Sequence, residues 1–235
     1  MSKLFFCTAV VALSVLVAPG ARAQAPAAPN AAHVKTFEST RKAAEDNNPS
    51  AQFNLAVYYE KGLGVATDLA QSRVWYQKAA DQGHIKAQFN LGVMHLQGEG
   101  GPKNGLAAGK LFRMAAEKGH VDSMHNLGFL YEAGNGVPKD TKMAYIWFLK
   151  AAEAGNVASQ VNVASMLRIG IGCERDFAQS AAWYLKAAEA GNPLAQERIG
   201  YMYSVGQGVE RDPVKAAKWA GFSKDNTDHI SKATN

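Results

Sequence analysis

The sequence has few cysteines and little net charge. Its 235 residues include two cysteines, with 25 Lys and Arg against 20 Asp and Glu. Cys7 lies in the N-terminal apolar segment that we expect to be removed, so Cys173 would remain without a partner and no internal disulfide could stabilise the fold. We expect Cys173 to act as a small buried hydrophobic residue. No run of Lys or Arg interleaved with aromatics is present, so a nucleic-acid partner is not predicted.

Long apolar segments are also scarce. The apolar run from Leu4 to Val17 is shorter than the roughly 20 residues of a membrane-spanning helix. Ala21, Arg22 and Ala23 follow it, as in a secretory signal cleaved after Ala23. We therefore expect a signal peptide at 1–23, an Ala- and Pro-rich linker at 24–32 and a periplasmic or secreted protein without stable membrane insertion.

What is abundant is an internal repeat, because the chain matches itself at an offset of 36 residues. In the first half of each unit, small or apolar residues recur every four positions, as at Ala51, Leu55 and Tyr59, which predicts an α-helix, helix A. We expect units at about 51–86, 87–122, 123–158, 159–194 and 195–222, after a capping half-repeat at 33–50 and before a polar tail at 223–235.

The second half of each unit predicts another helix, helix B. A Gly-x-Gly pair such as Gly62 and Gly64 ends helix A, because glycine enters the left-handed region without a Cβ clash. An N-cap residue begins helix B at Asp68, Asn104, Asp140, Asp176 and Asp212. Helix B then carries a large ring, as at Trp147 and Trp183. Since one hairpin cannot bury both aromatic faces, the hairpins should stack into an all-α solenoid of five 36-residue units with an N-terminal capping helix.

The repeated Asn-Leu-Gly, Gly-x-Gly-Val, Asp, Trp-Tyr and Ala-Ala positions resemble the Sel-one-like (SLR) repeat, a branch of the tetratricopeptide-like solenoids. The resemblance covers about 33–222. It implies a right-handed α/α superhelix whose members act as protein-interaction adaptors. One exported subgroup of the family has a disulfide in each repeat, and some of its members are linked to penicillin binding. The present chain lacks those cysteines.

The resemblance implies that helix A lines a concave groove. Residues on the side of helix A that faces away from helix B are therefore candidates for contact with a partner. The candidates are aromatic, amide and basic side chains: Phe53, Asn54, Phe89, Asn90, His125, Asn126, Phe129, Asn162, Arg198 and Tyr201. Rings would hold apolar side chains, and amides would pair with peptide groups. We therefore expect a protein or extended peptide as the partner, and self-association is possible. The asparagines have a second interpretation, in which each amide ties its hairpin to the preceding one.

Catalysis is not predicted, and no catalytic residue, metal site or cofactor is expected. Ser39 and Lys42 fit the Ser-x-x-Lys pattern of serine acyl-enzymes, but the Ser-Asp-Asn and Lys-Thr-Gly partners of that pattern are missing. A cell-envelope hydrolase or penicillin-binding activity is therefore the alternative function. Glycan binding is a second alternative, since rings in a groove also stack on sugars. His84 and His120 share a loop position with Asn156, where a turn-forming polar residue is expected.

Overall fold

The computed structural model describes residues 31–221, with side chains from residue 34. Every regular element in that range is a helix: α1 (Ala31–Glu45), α2 (Pro49–Lys61), α3 (Leu69–Asp81), α4 (Ile85–Gln97), α5 (Gly105–Glu117), α6 (Val121–Ala133), α7 (Thr141–Glu153), α8 (Val157–Ile169), α9 (Phe177–Glu189), α10 (Pro193–Val205) and α11 (213–221). The predicted all-α class is confirmed. The predicted signal peptide at 1–23 and the tail at 223–235 lie outside the described residues.

The helices after α1 form five hairpins in chain order. Helix A is α2, α4, α6, α8 or α10, and helix B is the helix that follows it. Extensive contacts from α1 to α10 join consecutive helices, within a hairpin and between one hairpin and the next. Helix α1 stands before the first hairpin, and its Phe37 and Ala44 are buried together with Leu55 of α2. The stacked hairpins form the predicted solenoid with its N-terminal helix.

Each helix of the five hairpins begins at a side-chain cap. The predicted caps of helix B are confirmed: Asp68, for example, accepts from the Gln71 backbone N–H at 2.9 Å. Helix A is capped in the same way by Asn48, His84, His120, Asn156 and Asn192. The five helix A elements therefore begin two residues before the predicted repeat boundaries, because each helix starts directly after its cap.

The centre of each of the first four hairpins is a tyrosine or phenylalanine of helix B that is almost completely buried: Tyr76, Phe112, Phe148 and Tyr184. The neighbouring tryptophan row lies further out, since Trp147 is 6% exposed while Trp183 is only partly buried. Cys173 is also only partly buried and packs against the central apolar cluster. Burial raises the pKa of its thiol.

The Gly-x-Gly pair has two distinct roles. Its first glycine ends helix A in the left-handed conformation, as at Gly134 with φ 73°. In the second to fifth hairpins its second glycine closely approaches helix B of the preceding hairpin. At Gly136, with φ 74°, a Cβ atom would lie within 2.2 Å of the Gly105 carbonyl oxygen at the start of α5. The predicted turn is therefore also a contact between neighbouring hairpins.

Candidate functional site

The candidate site is one outward side of helix A. If the first residue of each helix A is position 1, positions 2, 6, 9 and 13 follow the helical period and lie on one side. We call this side the helix A face. From α2 to α10 it consists of Ser50, Asn54, Val57, Lys61, Lys86, Asn90, Val93, Gln97, Asp122, Asn126, Phe129, Ala133, Ala158, Asn162, Ser165, Ile169, Leu194, Arg198, Tyr201 and Val205.

This face changes character along the chain. In α2 and α4 its exposed residues are polar or charged, as at Lys61 and Lys86. In α6, α8 and α10 it carries five large apolar residues that are at least two-fifths exposed: Phe129 (44%), Ile169 (50%), Leu194 (41%), Tyr201 (58%) and Val205 (51%). An apolar patch rimmed by polar groups is typical of a protein-interaction surface. The exposed apolar area of this face is therefore concentrated in the last three hairpins of the described chain.

The predicted aromatics at position 5 are packed within the hairpins. Phe53 stacks on His84, with ring centroids 4.7 Å apart, and contacts Tyr76 at 5.6 Å. Phe89 makes the corresponding contacts with His120 and Phe112. Both side chains are half-buried. Phe53 and Phe89 thus pack beneath the helix A face, whereas the rings of Phe129 and Tyr201 are exposed to solvent.

His125, also at position 5, is held between two hairpins. Its Nδ1 lies 2.6 Å from the Oγ of Ser159 in α8, and its ring contacts Phe129 edge-on at 4.8 Å. Ser159 is completely buried. This His–Ser pair therefore connects neighbouring hairpins. Its hydroxyl is buried and is not accessible to a substrate.

The asparagines at position 6 of helix A do not all make the same contacts. The Nδ2 of Asn90 donates to the Tyr76 hydroxyl of the preceding hairpin at 2.9 Å, which is the predicted tie. At Asn126 and Asn162 the preceding ring is Phe112 or Phe148, which has no hydroxyl. Within the described residues, the Nδ2 atom of Asn162 is buried without a hydrogen-bond partner. Asn54, in contrast, is exposed.

A glutamine row that the sequence analysis did not single out makes the regular connection between hairpins. The Nε2 of Gln88 donates to the Ala80 carbonyl of the preceding helix B at 3.2 Å. Gln52, Gln160 and Gln196 donate in the same way to Ala44, Ala152 and Ala188. The available signal was a glutamine at position 4 in four of the five units, with Met124 in the third.

Charge on the helix A face is sparse towards its end. Arg198 is exposed and lies 3.9 Å from the carboxylate of its neighbour Glu197. An exposed pair at that distance is weak, so the guanidinium can also meet a carboxylate of a partner.

Four histidines near the site favour the neutral form. Burial lowers the pKa of His84, His95, His120 and His125. At His95 the Arg73 guanidinium, 2.6 Å from Nδ1, lowers the pKa further. As caps, His84 and His120 accept backbone N–H groups through Nδ1, which requires that nitrogen to be unprotonated.

The described residues give little support for a serine acyl-enzyme site or a metal site. Ser39 and Lys42 are exposed on α1, and the Ser39 hydroxyl donates to the Thr36 carbonyl at 3.0 Å. Residues 31–221 contain no group of three or more His, Cys, Asp or Glu side chains placed to hold a metal ion. In the same range, no helix has the length and apolar character required to cross a membrane.

The model of the Sel1 repeat family matches the chain five times, at 49–84, 85–120, 121–156, 157–192 and 193–222. These units begin at the helix A starts described above. A comparison with curated proteins found no significant match.

Two solved structures are similar in sequence and fold. A Sel1 repeat protein from Oxalobacter formigenes is 32% identical with a TM-score of 0.75, and the match covers 82% of each chain. A protective antigen of uropathogenic Escherichia coli strains, described as displaying an SLR fold, is 36% identical with a TM-score of 0.78. That match covers 81% of this chain and 41% of the antigen, so the chain spans about two-fifths of the antigen's length.

Repeats of this kind are protein-interaction modules. The family model covers most of the chain, and its boundaries coincide with the helix starts. The chain therefore belongs to the Sel1 repeat family.

Proposed function

We propose that the protein is an adaptor that holds a protein or an extended peptide along the helix A face without transforming it. The observation that carries this proposal is the set of exposed apolar residues at positions 2, 9 and 13 of α6, α8 and α10. These five side chains lie on one face of three consecutive hairpins, and a second set of exposed apolar residues, Val74, Leu106, Met114 and Ile146, lies on helix B. A partner covering the five on the helix A face would remove that area from water, which favours association.

The polar groups of the same face suit a peptide. Asn126 lies one helical turn before Phe129 on this face and carries an amide that can pair with peptide N–H and C=O groups. Arg198 supplies one cation beside Tyr201. The expected ligand segment is therefore apolar, with an acidic residue near the α10 end.

The proposed adaptor acts outside the cytoplasm. The support for this location is the N-terminal pattern from Lys3 to Ala23, which is typical of a signal for export. The periplasm and the extracellular medium both agree with that pattern.

Site-specific photocrosslinking tests the helix A face directly. A photoreactive amino acid at position 129 or 201 should form adducts with a partner in cells, because both side chains are exposed on the proposed face. The same residue at 106 or 146 provides a matched control, since Leu106 (57%) and Ile146 (41%) are comparably exposed but lie on helix B.

With the adduct identified by mass spectrometry, the double variant Phe129→Ser and Tyr201→Ser should bind that partner at least about tenfold more weakly, since aromatic anchors commonly contribute over 1.4 kcal/mol. Leu106→Ser with Ile146→Ser should leave the affinity within a factor of about two. Adducts formed equally from helix B positions would place the interaction elsewhere.

A further inference from the structure

Each of the first four hairpins encloses one aromatic ring between its two helices. In the third hairpin the Phe148 ring lies 5.7 Å from the His125 ring and 5.2 Å from the Phe129 ring. Gly128, at position 8, makes room for it, since a Cβ atom there would approach the ring to 2.7 Å. The walls of this ring site are thus positions 5, 8 and 9 of helix A.

In the fifth hairpin the corresponding positions are Glu197, Gly200 and Tyr201, and the described residues up to 221 place no ring between them. Ala220 stands 36 residues after Tyr184, at the place of the enclosed ring. An open cleft of about 500 Å³ lies there, lined by Glu197, Gly200, Tyr201 and Ser204 of α10 and by Ala216 and Ala220 of α11. Glu197, Gly200 and Tyr201 occupy positions 5, 8 and 9, so the cleft is the ring site left unfilled.

Gly200 occupies position 8 in α10, as Gly92 and Gly128 do in α4 and α6. In α4 and α6 a glycine at position 8 is required because a methyl group would overlap the ring of Phe112 or Phe148, at 2.6 and 2.7 Å. In α10 a methyl group would meet Trp219 Cβ at the milder distance of 3.3 Å. In the first and fourth hairpins Ala56 and Ala164 hold position 8 beside an enclosed tyrosine, so the glycine of α10 matches the two sites that enclose phenylalanine.

We propose that this cleft binds an aromatic side chain of the partner segment on the helix A face. The inference rests on the proposed function, and it specifies one residue of the partner. The other hairpins show which kind of side chain these walls accommodate, because Phe112, Phe148, Tyr76 and Tyr184 are enclosed in the corresponding sites. Tyr201 belongs to both the cleft and the helix A face, so a segment lying on the face can place a side chain in the cleft.

If the entering side chain is a tyrosine, its hydroxyl would also find a partner in the cleft. In the first hairpin the Tyr76 hydroxyl donates to the Oε2 of Glu60, at position 12 of helix A, at 2.6 Å. Ser204 holds position 12 in α10. Its hydroxyl donates to the Tyr201 carbonyl at 2.7 Å, which leaves the Ser204 oxygen free to accept a proton from the entering phenol.

Nuclear magnetic resonance titration of the full chain with N-acetyl-L-tyrosinamide tests the cleft without knowledge of the partner. Saturable shifts are expected at the amides of Gly200, Ser204 and Ala220, and N-acetyl-L-alaninamide should produce none. Ala220→Phe fills the cleft from within and should abolish the saturable shifts. Val214→Phe adds the same ring at an exposed site of α11 and should leave them unchanged.

Tyr201→Ala provides an independent variant, because it removes one exposed wall of the cleft without touching the enclosed core, and it should weaken the titration. Absence of saturable shifts in the wild-type chain, or their persistence in Ala220→Phe, would overturn the cleft proposal. If the wild-type chain binds the probe but crosslinking from positions 129 and 201 fails, only the adaptor function is contradicted and the cleft proposal stands.

Discussion

At the scale of single residues, glycine carries much of the information in this fold. Gly136 and Gly155 both have positive φ, at 74° and 94°. A methyl group added at Gly155 would meet no atom within 4 Å, whereas one added at Gly136 would lie within 2.3 Å of the backbone of Gly105 and Leu106. The two positions separate the conformational role of glycine from its role in close contact between hairpins.

We therefore expect Gly136→Ala to be much more destabilising than Gly155→Ala. The second change should lower the free energy of unfolding by about 1 kcal/mol, the usual cost of a left-handed non-glycine residue. The first should cost roughly 2–4 kcal/mol, because the loop must also move away from α5. Urea unfolding followed by circular dichroism measures both, and equal losses would show that the close approach contributes nothing.

Some contacts of single residues can be predicted from the sequence, and others cannot. The caps at Asp68 and Asp140 were predictable, because capping is local and the signal recurs in phase. The hydrogen bond from Asn90 to Tyr76 depends on which ring the preceding hairpin supplies, and the Gln88 bond to Ala80 depends on how two hairpins meet. Neither pairing follows from helical periodicity alone, so the sequence predicts the site as rows of residues and not as contacts.

At the scale of helices, the caps of helix A divide into two chemical classes. The second and third hairpins begin with His84 and His120, and the fourth and fifth begin with Asn156 and Asn192. Asparagine does not titrate, whereas a histidine cap accepts through Nδ1 only while that nitrogen is unprotonated.

The histidine caps predict a loss of stability in acid. Burial lowers the folded-state pKa of both below the ordinary value of 6.5, so the unfolded chain binds more protons as the pH falls. Their stabilisation is complete above pH 6.5 and is lost as the pH falls from there through the folded-state pKa. His84→Asn with His120→Asn should make the decrease in Tm between about pH 7.5 and 5.5 smaller than in the wild type. His95 and His125 remain in that variant. If the decrease in Tm were unchanged, the effect would be assigned to those two histidines.

At the scale of the whole molecule, the stack is a chain of nearest-neighbour contacts. The extensive contacts of each helix from α1 to α10 are with the helices before and after it, so stability should add up from hairpins and their junctions. A central hairpin has a neighbour on both sides. The fifth hairpin is joined to the rest mainly through α9 and α10.

Leu127 and Ile199 allow this organisation to be tested, because both occupy position 7 of helix A and are completely buried. Replacing either with alanine should cost about 2–5 kcal/mol locally. In hydrogen exchange measured by mass spectrometry, Ile199→Ala should accelerate exchange in α10 and α11 and leave α2–α5 at wild-type rates. Leu127→Ala should accelerate exchange in α6 and α7 and in the helices on both sides, since it weakens two junctions. Uniform acceleration from Ile199→Ala would instead show one cooperative unit, in which a ligand at the α10 cleft would stabilise the entire stack and not only its last hairpin.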